Sequence, residues 1–188
     1  YLPTTEFYNN IYGETGWKAI TIRSLSIGQG EILTTPLQLA NQAAAIANKG
    51  YYIAPHLNKN DSMKSKKHIC LVDSSHFDVV HRGMARVMTE GTGKWYNIPE
   101  WQICGKTGTV ENPHGEDHAL FIGFAPMDNP KIAVAVAVEN AGFGATWACP
   151  IATLVMEQYL SGEIKRNWLY KRMLEANLID KKNDDDKE

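Results

Sequence analysis

Residues 132–138 read Ile-Ala-Val-Ala-Val-Ala-Val, and this run constrains the fold more than any other part of the 188-residue chain. In an extended backbone successive side chains point to opposite faces. Ile132, Val134, Val136 and Val138 then share one face, and Ala133, Ala135 and Ala137 share the other. Neither face suits water, so both are expected to be covered. The alanine face leaves room for a helix backbone to approach closely. Seven residues fall far short of the ~20 needed by a membrane-spanning helix, and no apolar run in the chain is longer. The remaining sequence has the means to cover such a strand. It is 44% hydrophobic and 21% charged, an ordinary globular balance that excludes wholesale disorder, collagen and coiled coil. Its length predicts one domain with a real core.

Two more strand-like runs, 102–111 and 119–125, precede the third at 131–140. The turn Pro126-Met127-Asp128-Asn129-Pro130 predicts a hairpin between the last two. Helices are expected around them. Thr35-Pro36-Leu37-Gln38 has the form of a capping box with proline at the first helical position, and Gly50 suits the stop. Asp73 or Ser74 should cap a second helix running to about Glu90, with Phe77, Val80, Met84 and Val87 as its stripe. A third, from about Cys149 to Ser161, carries Ile151, Leu154, Val155 and Tyr159 on its docking stripe, and Gly162 ends it. A weaker helix is expected over 167–178. Residues 1–30 read as loop with short helical or strand pieces, and 58–68 as an exposed lysine-rich loop. Residues 180–188 read as a charged, disordered tail, with five acids against three lysines. The fold expected for residues 1–179 is α+β, an antiparallel sheet covered by helices on both faces. A formal net charge of −2 speaks against a nucleic-acid partner.

The sharpest chemical signal is Gly105-Lys106-Thr107-Gly108-Thr109. A phosphate-binding loop needs a glycine where Glu100 stands, and a helix starting directly after Lys-Thr. Here the extended pattern continues, and Gly91-Thr92-Gly93-Lys94-Trp95 fails as well, because Trp95 stands where the motif needs Ser or Thr. On a strand the same residues suit acyl transfer. Lys106 supplies positive charge near a nucleophile or a substrate carboxylate. Thr107 and Thr109 share one face and offer hydroxyl donors to that carboxylate. Gly108 lets another backbone lie alongside, and the Thr109 N–H suits an oxyanion hole. The plain alternative is a surface strand carrying a chance tripeptide.

Lys-Thr-Gly is also one of the elements shared by penicillin-binding proteins and class A β-lactamases. Its surroundings extend the likeness. Ser26-Ile27-Gly28-Gln29-Gly30, Thr35-Pro36-Leu37-Gln38-Leu39-Ala40, Asn48-Lys49-Gly50 with Pro55, His118-Ala119-Leu120-Phe121-Ile122-Gly123-Phe124-Ala125-Pro126 and Glu139-Asn140 occur in the same order. Over about residues 1–162 the chain resembles the transpeptidase domain of class B penicillin-binding proteins, most of all penicillin-binding protein 2, the elongation type. That family's nucleophile lies in Ser-x-x-Lys. The serines stand at 24, 26, 62, 65, 74, 75 and 161, and none has Lys three residues on or opens Ser-x-Asn. Residues 144–150 also depart from the family's small-residue run. The chain opens at Tyr1 without an initiator Met or a signal peptide, so the expectation is the C-terminal part of a transpeptidase domain, incomplete in itself.

The resemblance implies a parent anchored at the periplasmic face of the bacterial inner membrane and working with the cell-wall elongation machinery. The parent would be a serine D-Ala-D-Ala transpeptidase that cross-links peptidoglycan stem peptides through an acyl-enzyme and is acylated by β-lactams. It implies no cofactor. Lys106 and the Thr109 N–H would be catalytic, with Thr107, Gly108 and Thr109 holding substrate. This chain alone would be inactive, and ordered only beside its upstream part or another copy. A noncatalytic peptidoglycan-binding or sensor module on the same fold stays open.

Other candidates point to structure. His114 and His118 have metal-ligand spacing for a helix, but Pro113 and Gly115 favour a polar loop. Cys70, Cys104 and Cys149 are odd in number and widely spaced, which suits neither a disulfide framework nor zinc. Cys104 and Cys149 are expected as buried thiols. Trp95, Trp101 and Trp147 line a cleft or fill a core rim.

Overall fold

The computed structural model describes residues 3–58 and 66–179, which leaves the charged tail 180–188 outside the described residues. These fall into two compact units divided after Thr35. No helix among the described residues is long and apolar enough to cross a membrane.

The first unit is more helical than its weak periodicity suggested. It holds α1 (Thr5–Tyr12) and α2 (Ala19–Ser26). Thr4 Oγ1 accepts from the Phe7 N–H at 3.2 Å and caps α1. Eight-residue helices are marginal by themselves. Here an aromatic cluster supports them. Tyr8 stacks on Trp17 at 5.4 Å between ring centroids, and Trp17 Nε1 donates to Asn9 Oδ1 at 2.8 Å. The Tyr8 and Tyr12 hydroxyls donate to the Glu31 carboxylate at 2.8 and 2.9 Å. The Tyr8 hydrogen bond holds the Glu31 carboxyl below its ordinary range. Burial, and then Glu31, push the Tyr8 phenol up to about 12.

The second unit begins with α3 (Pro36–Ala47). Its stop at Gly50 is as expected. Gly50 takes φ +107°, and its N–H donates to the Ala45 carbonyl at 2.9 Å. Strand β1 (Tyr51–Ile53) pairs antiparallel with β2 (Lys67–Ile69). This corrects the reading of 58–68 as loop: Lys67 and His68 are strand residues, and 59–65 lie outside the described residues. The cause is a partner beyond local reach. His68 stacks on Tyr52 at 5.0 Å, and Lys67 Nζ sits 4.2 Å above the Tyr51 ring.

Helix α4 (Ser75–Thr89) begins where Asp73 Oδ1 accepts from the Ser75 N–H at 2.8 Å. Its buried stripe is Phe77, His81, Met84 and Met88, while Val80 is exposed. The expected stripe was therefore rotated by one residue at two positions. His81 turns inward because its Nε2 reaches the Ile46 carbonyl at 2.7 Å and its ring meets Phe124 at 4.9 Å. Two single 3₁₀ turns, Lys94–Tyr96 and Pro99–Trp101, lead on to the sheet.

Strands β3 (Cys104–Val110), β4 (His118–Ala125) and β5 (Ile132–Val138) form an antiparallel sheet in the order β3-β4-β5. The hairpin expected between β4 and β5 is present, with Ala125 opposite Ile132. On one face Phe121, Val134 and Val136 pack with Met88 and Ile103. On the other, Cys104, Phe124 and Ala133 pack with Ala47 and Met84. Helix α5 (Ala148–Ser161) covers the first face, and Gly162 ends it at φ +78° as expected. The residues docking it are Cys149, Ala152 and Met156, all fully buried, whereas Val155 and Tyr159 are 46% and 62% exposed. The expected stripe is thus corrected in part: Leu154 is buried as expected, but Val155 and Tyr159 point away, and Cys149, Ala152 and Met156 dock α5 on the β-branched face of β5. Helix α6 (Asn167–Glu175) follows, shorter than the expected 167–178.

Cover of the sheet is partial. Helix α3 closes the Ala133 end of the alanine face, while Ala137 is exposed. Outside α5, the side chains of Ile132, Ile151, Val155, Tyr159, Tyr170 and Leu174 line an open groove of about 800 Å³. Each large apolar side chain left bare forgoes roughly 1.5–3 kcal/mol. That compares with ~5–15 kcal/mol for a whole domain. Expressed alone, residues 1–188 are therefore expected to self-associate in sedimentation velocity and to unfold without a sharp transition. A monodisperse monomer with one cooperative transition would show that the units are self-sufficient.

Candidate active site

Strand β3 pairs with β4 alone among the described residues, so its other edge is open. The register sets Thr107 opposite Phe121 and Thr109 opposite Ala119, on the face that packs against α5. Lys106 and Gly108 lie opposite Ile122 and Leu120, on the alternate face. Alternation thus separates Lys106 from the two threonines. Its exposed side chain nevertheless returns along the strand, and Nζ donates to the Thr107 carbonyl at 2.6 Å. A mid-strand lysine cannot face phosphate at a helix N-terminus, so the phosphate-loop alternative fails on geometry.

Close backbone approach shapes the strand on both sides. A Cβ on Gly105 would strike the Phe121 ring and lie 3.2 Å from Met88 Sδ. One on Gly144 would strike the carbonyls of Gly108 and Leu120, so the loop after β5 lies directly on the β3 and β4 backbones. Gly108 does have a neighbouring backbone, and it is this chain's own. Sequence reasoning also missed Thr92, whose Oγ1 lies 2.8 Å from Thr107 Oγ1. The only signal for it was the Gly-Thr-Gly at the end of α4.

The segment between β3 and β4 is a polar loop. Asn112 Nδ2 donates to Asn140 Oδ1 at 2.7 Å, and the Asp117 carbonyl accepts from the Ala141 and Gly142 N–H groups. His118 Nδ1 accepts from the Asn140 N–H at 3.0 Å, so in its neutral form the ring proton sits on Nε2. His118 thereby ties the start of β4 to the end of β5. The His114 N–H donates to Asn112 Oδ1. Among the described residues, no three His, Cys, Asp or Glu side chains gather as metal ligands. Cys104 and Cys149 are fully buried, and burial pushes both thiols up to about 12, which suits packing rather than nucleophilic attack. Cys70 is half-buried. Trp101 and Trp147 pack at the rim of the core, while Trp95 is 79% exposed.

This architecture has known counterparts. The penicillin-binding protein transpeptidase domain family matches residues 5–157. The peptidoglycan D,D-transpeptidase MrdA of Haemophilus influenzae is 33% identical, over 85% of this chain and 29% of its own length. Pseudomonas aeruginosa PBP2, solved in complex with WCK 5153, is 36% identical with a TM-score of 0.74, covering 88% of this chain and 38% of that one. The imipenem acyl-enzyme of penicillin-binding protein A from Mycobacterium tuberculosis is 34% identical with a TM-score of 0.62, covering 72% of this chain and 33% of the other. This chain spans less than a third of the H. influenzae relative. With the family match running from α1 into α5 and the Lys-Thr-Gly strand at the open edge of an antiparallel sheet, the chain belongs to the penicillin-binding protein transpeptidase domain family.

Proposed function

We propose that this chain is the Lys-Thr-Gly half of a peptidoglycan D,D-transpeptidase whose nucleophilic serine lies in another part of the parent protein. The observation that carries it is Lys106-Thr107-Gly108-Thr109 on the accessible edge strand β3, inside the region matched by the transpeptidase family. The serine oxygen attacks the carbonyl carbon between the two D-alanines of a stem peptide. The amide C–N bond breaks, and the terminal D-alanine leaves with the proton on its amine. A neighbouring stem amine then attacks the ester, which forms the cross-link and returns the serine. Lys106 supplies positive charge beside the reacting groups, Thr107 and Thr109 hydroxyls hold the substrate carboxylate, and the Thr109 N–H serves the oxyanion. β-Lactams are taken in the same place, in line with the imipenem acyl-enzyme of the M. tuberculosis relative. The parent works at the periplasmic face of the inner membrane with the elongation machinery, a placement that rests on the likeness to the elongation type.

A fluorescent penicillin tests this on a denaturing gel. The full-length parent is expected to carry a stable covalent band and residues 1–188 alone none. A band on a serine of this chain would overturn the division of the site. Reversible binding without a band on the parent would identify a noncatalytic module.

A further inference from the structure

We propose that Thr92 is a positioning residue that sets the proton of the Thr107 hydroxyl. The inference rests on the carboxylate-holding role proposed above for Thr107. The two Oγ1 atoms lie 2.8 Å apart, and either hydroxyl can be the donor. A hydroxyl has one proton to give, and a carboxylate only accepts. For Thr107 to donate to a substrate carboxylate, its own proton must point away from Thr92. Thr92 must then donate to Thr107. In that chain the accepting hydroxyl becomes the stronger donor, because successive hydrogen bonds polarise one another.

Backbone packing holds Thr92 in this place. The Gly91 N–H donates to the Arg86 carbonyl at 2.9 Å, and the Gly93 N–H to the Val87 carbonyl at 3.0 Å, so residues 91–93 fold back on the end of α4. Met88, fully buried, sits against Gly93 on one side and Gly105 on the other. A Cβ on Gly93 would strike its sulfur, and one on Gly105 would lie 3.2 Å from it. Met88 thus gauges the distance between the Gly-Thr-Gly loop and the Lys-Thr-Gly strand. Thr92 itself is exposed. A solvent-facing hydroxyl pair adds little to folding, so its effect on the site is separable from stability.

The test uses the full-length parent and measures the second-order rate of acylation by a fluorescent penicillin and by its methyl ester. Thr92→Val keeps the shape and removes the donor. It is expected to slow acylation by the free acid roughly three- to tenfold, the effect of one lost hydrogen bond. The ester, which lacks the anionic acceptor, should be affected less than twofold. Thr92→Ser should restore the wild-type rate, and Thr92→Val should add nothing in a Thr107→Val background. Thermal unfolding of each variant is followed alongside, and unchanged midpoints are expected. Wild-type rates for Thr92→Val with both compounds would overturn the inference and leave the proposed function standing, as would equal slowing of acid and ester, which signals a packing effect. Failure of the wild-type parent to be acylated would overturn both.

Discussion

Replacing Lys106 with alanine in the full-length parent is expected to lower the acylation rate by a fluorescent penicillin by a factor on the order of 10²–10³, the scale for removing one preorganised charge or donor from a reacting centre. The side chain is exposed, and among the described residues its hydrogen bond is to the adjacent Thr107 carbonyl, so little folding energy goes with it. The melting temperature should therefore stay within a few degrees of the wild type. Lys106 lies on the face opposite Thr107 and Thr109, so the role proposed for it is one of charge rather than membership of their hydrogen-bond row. Lys106→Arg, which keeps the charge in a different shape, should fall between the two. Labelling of Lys106→Ala within threefold of wild type would remove this lysine from the chemistry.

The second large effect concerns stability. Glu157, in α5, is almost fully buried. Its carboxylate accepts from the Lys165 N–H at 2.9 Å, the Arg166 N–H at 3.3 Å and Arg166 Nε at 2.8 Å. Arg166 Nη1 donates to the Tyr96 carbonyl at 3.1 Å, so the ion pair joins α5, the turn before α6 and the Lys94–Tyr96 3₁₀ turn. Glu157→Ala strands the 18%-exposed guanidinium without a counter-charge, at a cost of roughly 3–5 kcal/mol. Each kcal/mol shifts the midpoint by about 2–4 °C for a unit of 150–250 residues, and by less as the unit that unfolds together grows. A drop of several degrees is therefore expected in thermal unfolding of the full-length parent. Glu157→Gln, which keeps an acceptor oxygen, should lose less. A shift below about 2 °C would show that the ion pair contributes almost nothing beyond a neutral packing group.

What was legible in the sequence was what depends on neighbours along the chain. The alternation in 132–138, the Pro126–Pro130 turn and the glycine stops at 50 and 162 act within a few residues, and the corresponding elements stand where they were expected. Lys106, Thr107, Gly108 and Thr109 were singled out by their order on one strand. Elements that depend on distant partners were misread or left open between helix and strand. β2 exists because Tyr51–Ile53 lies opposite it, and the short helices of the first unit hold through Trp17 and Glu31. The stripe of α4 turned to His81 and Met88 because a carbonyl on α3, Phe124 and Gly105 wait there.

By itself, then, the sequence determined the alternation of the strands, which sets Lys106 on the face opposite Thr107 and Thr109, and the glycine stops after α3 and α5. These follow from covalent geometry, in which side chains two apart share a strand face whatever surrounds them. Only the tertiary structure decided that Gly144 lies on the Gly108 backbone and that Thr92 meets the Thr107 hydroxyl. Each of these depends on where separate segments come to rest. Close packing sets that to within an ångström, and no local pattern encodes it.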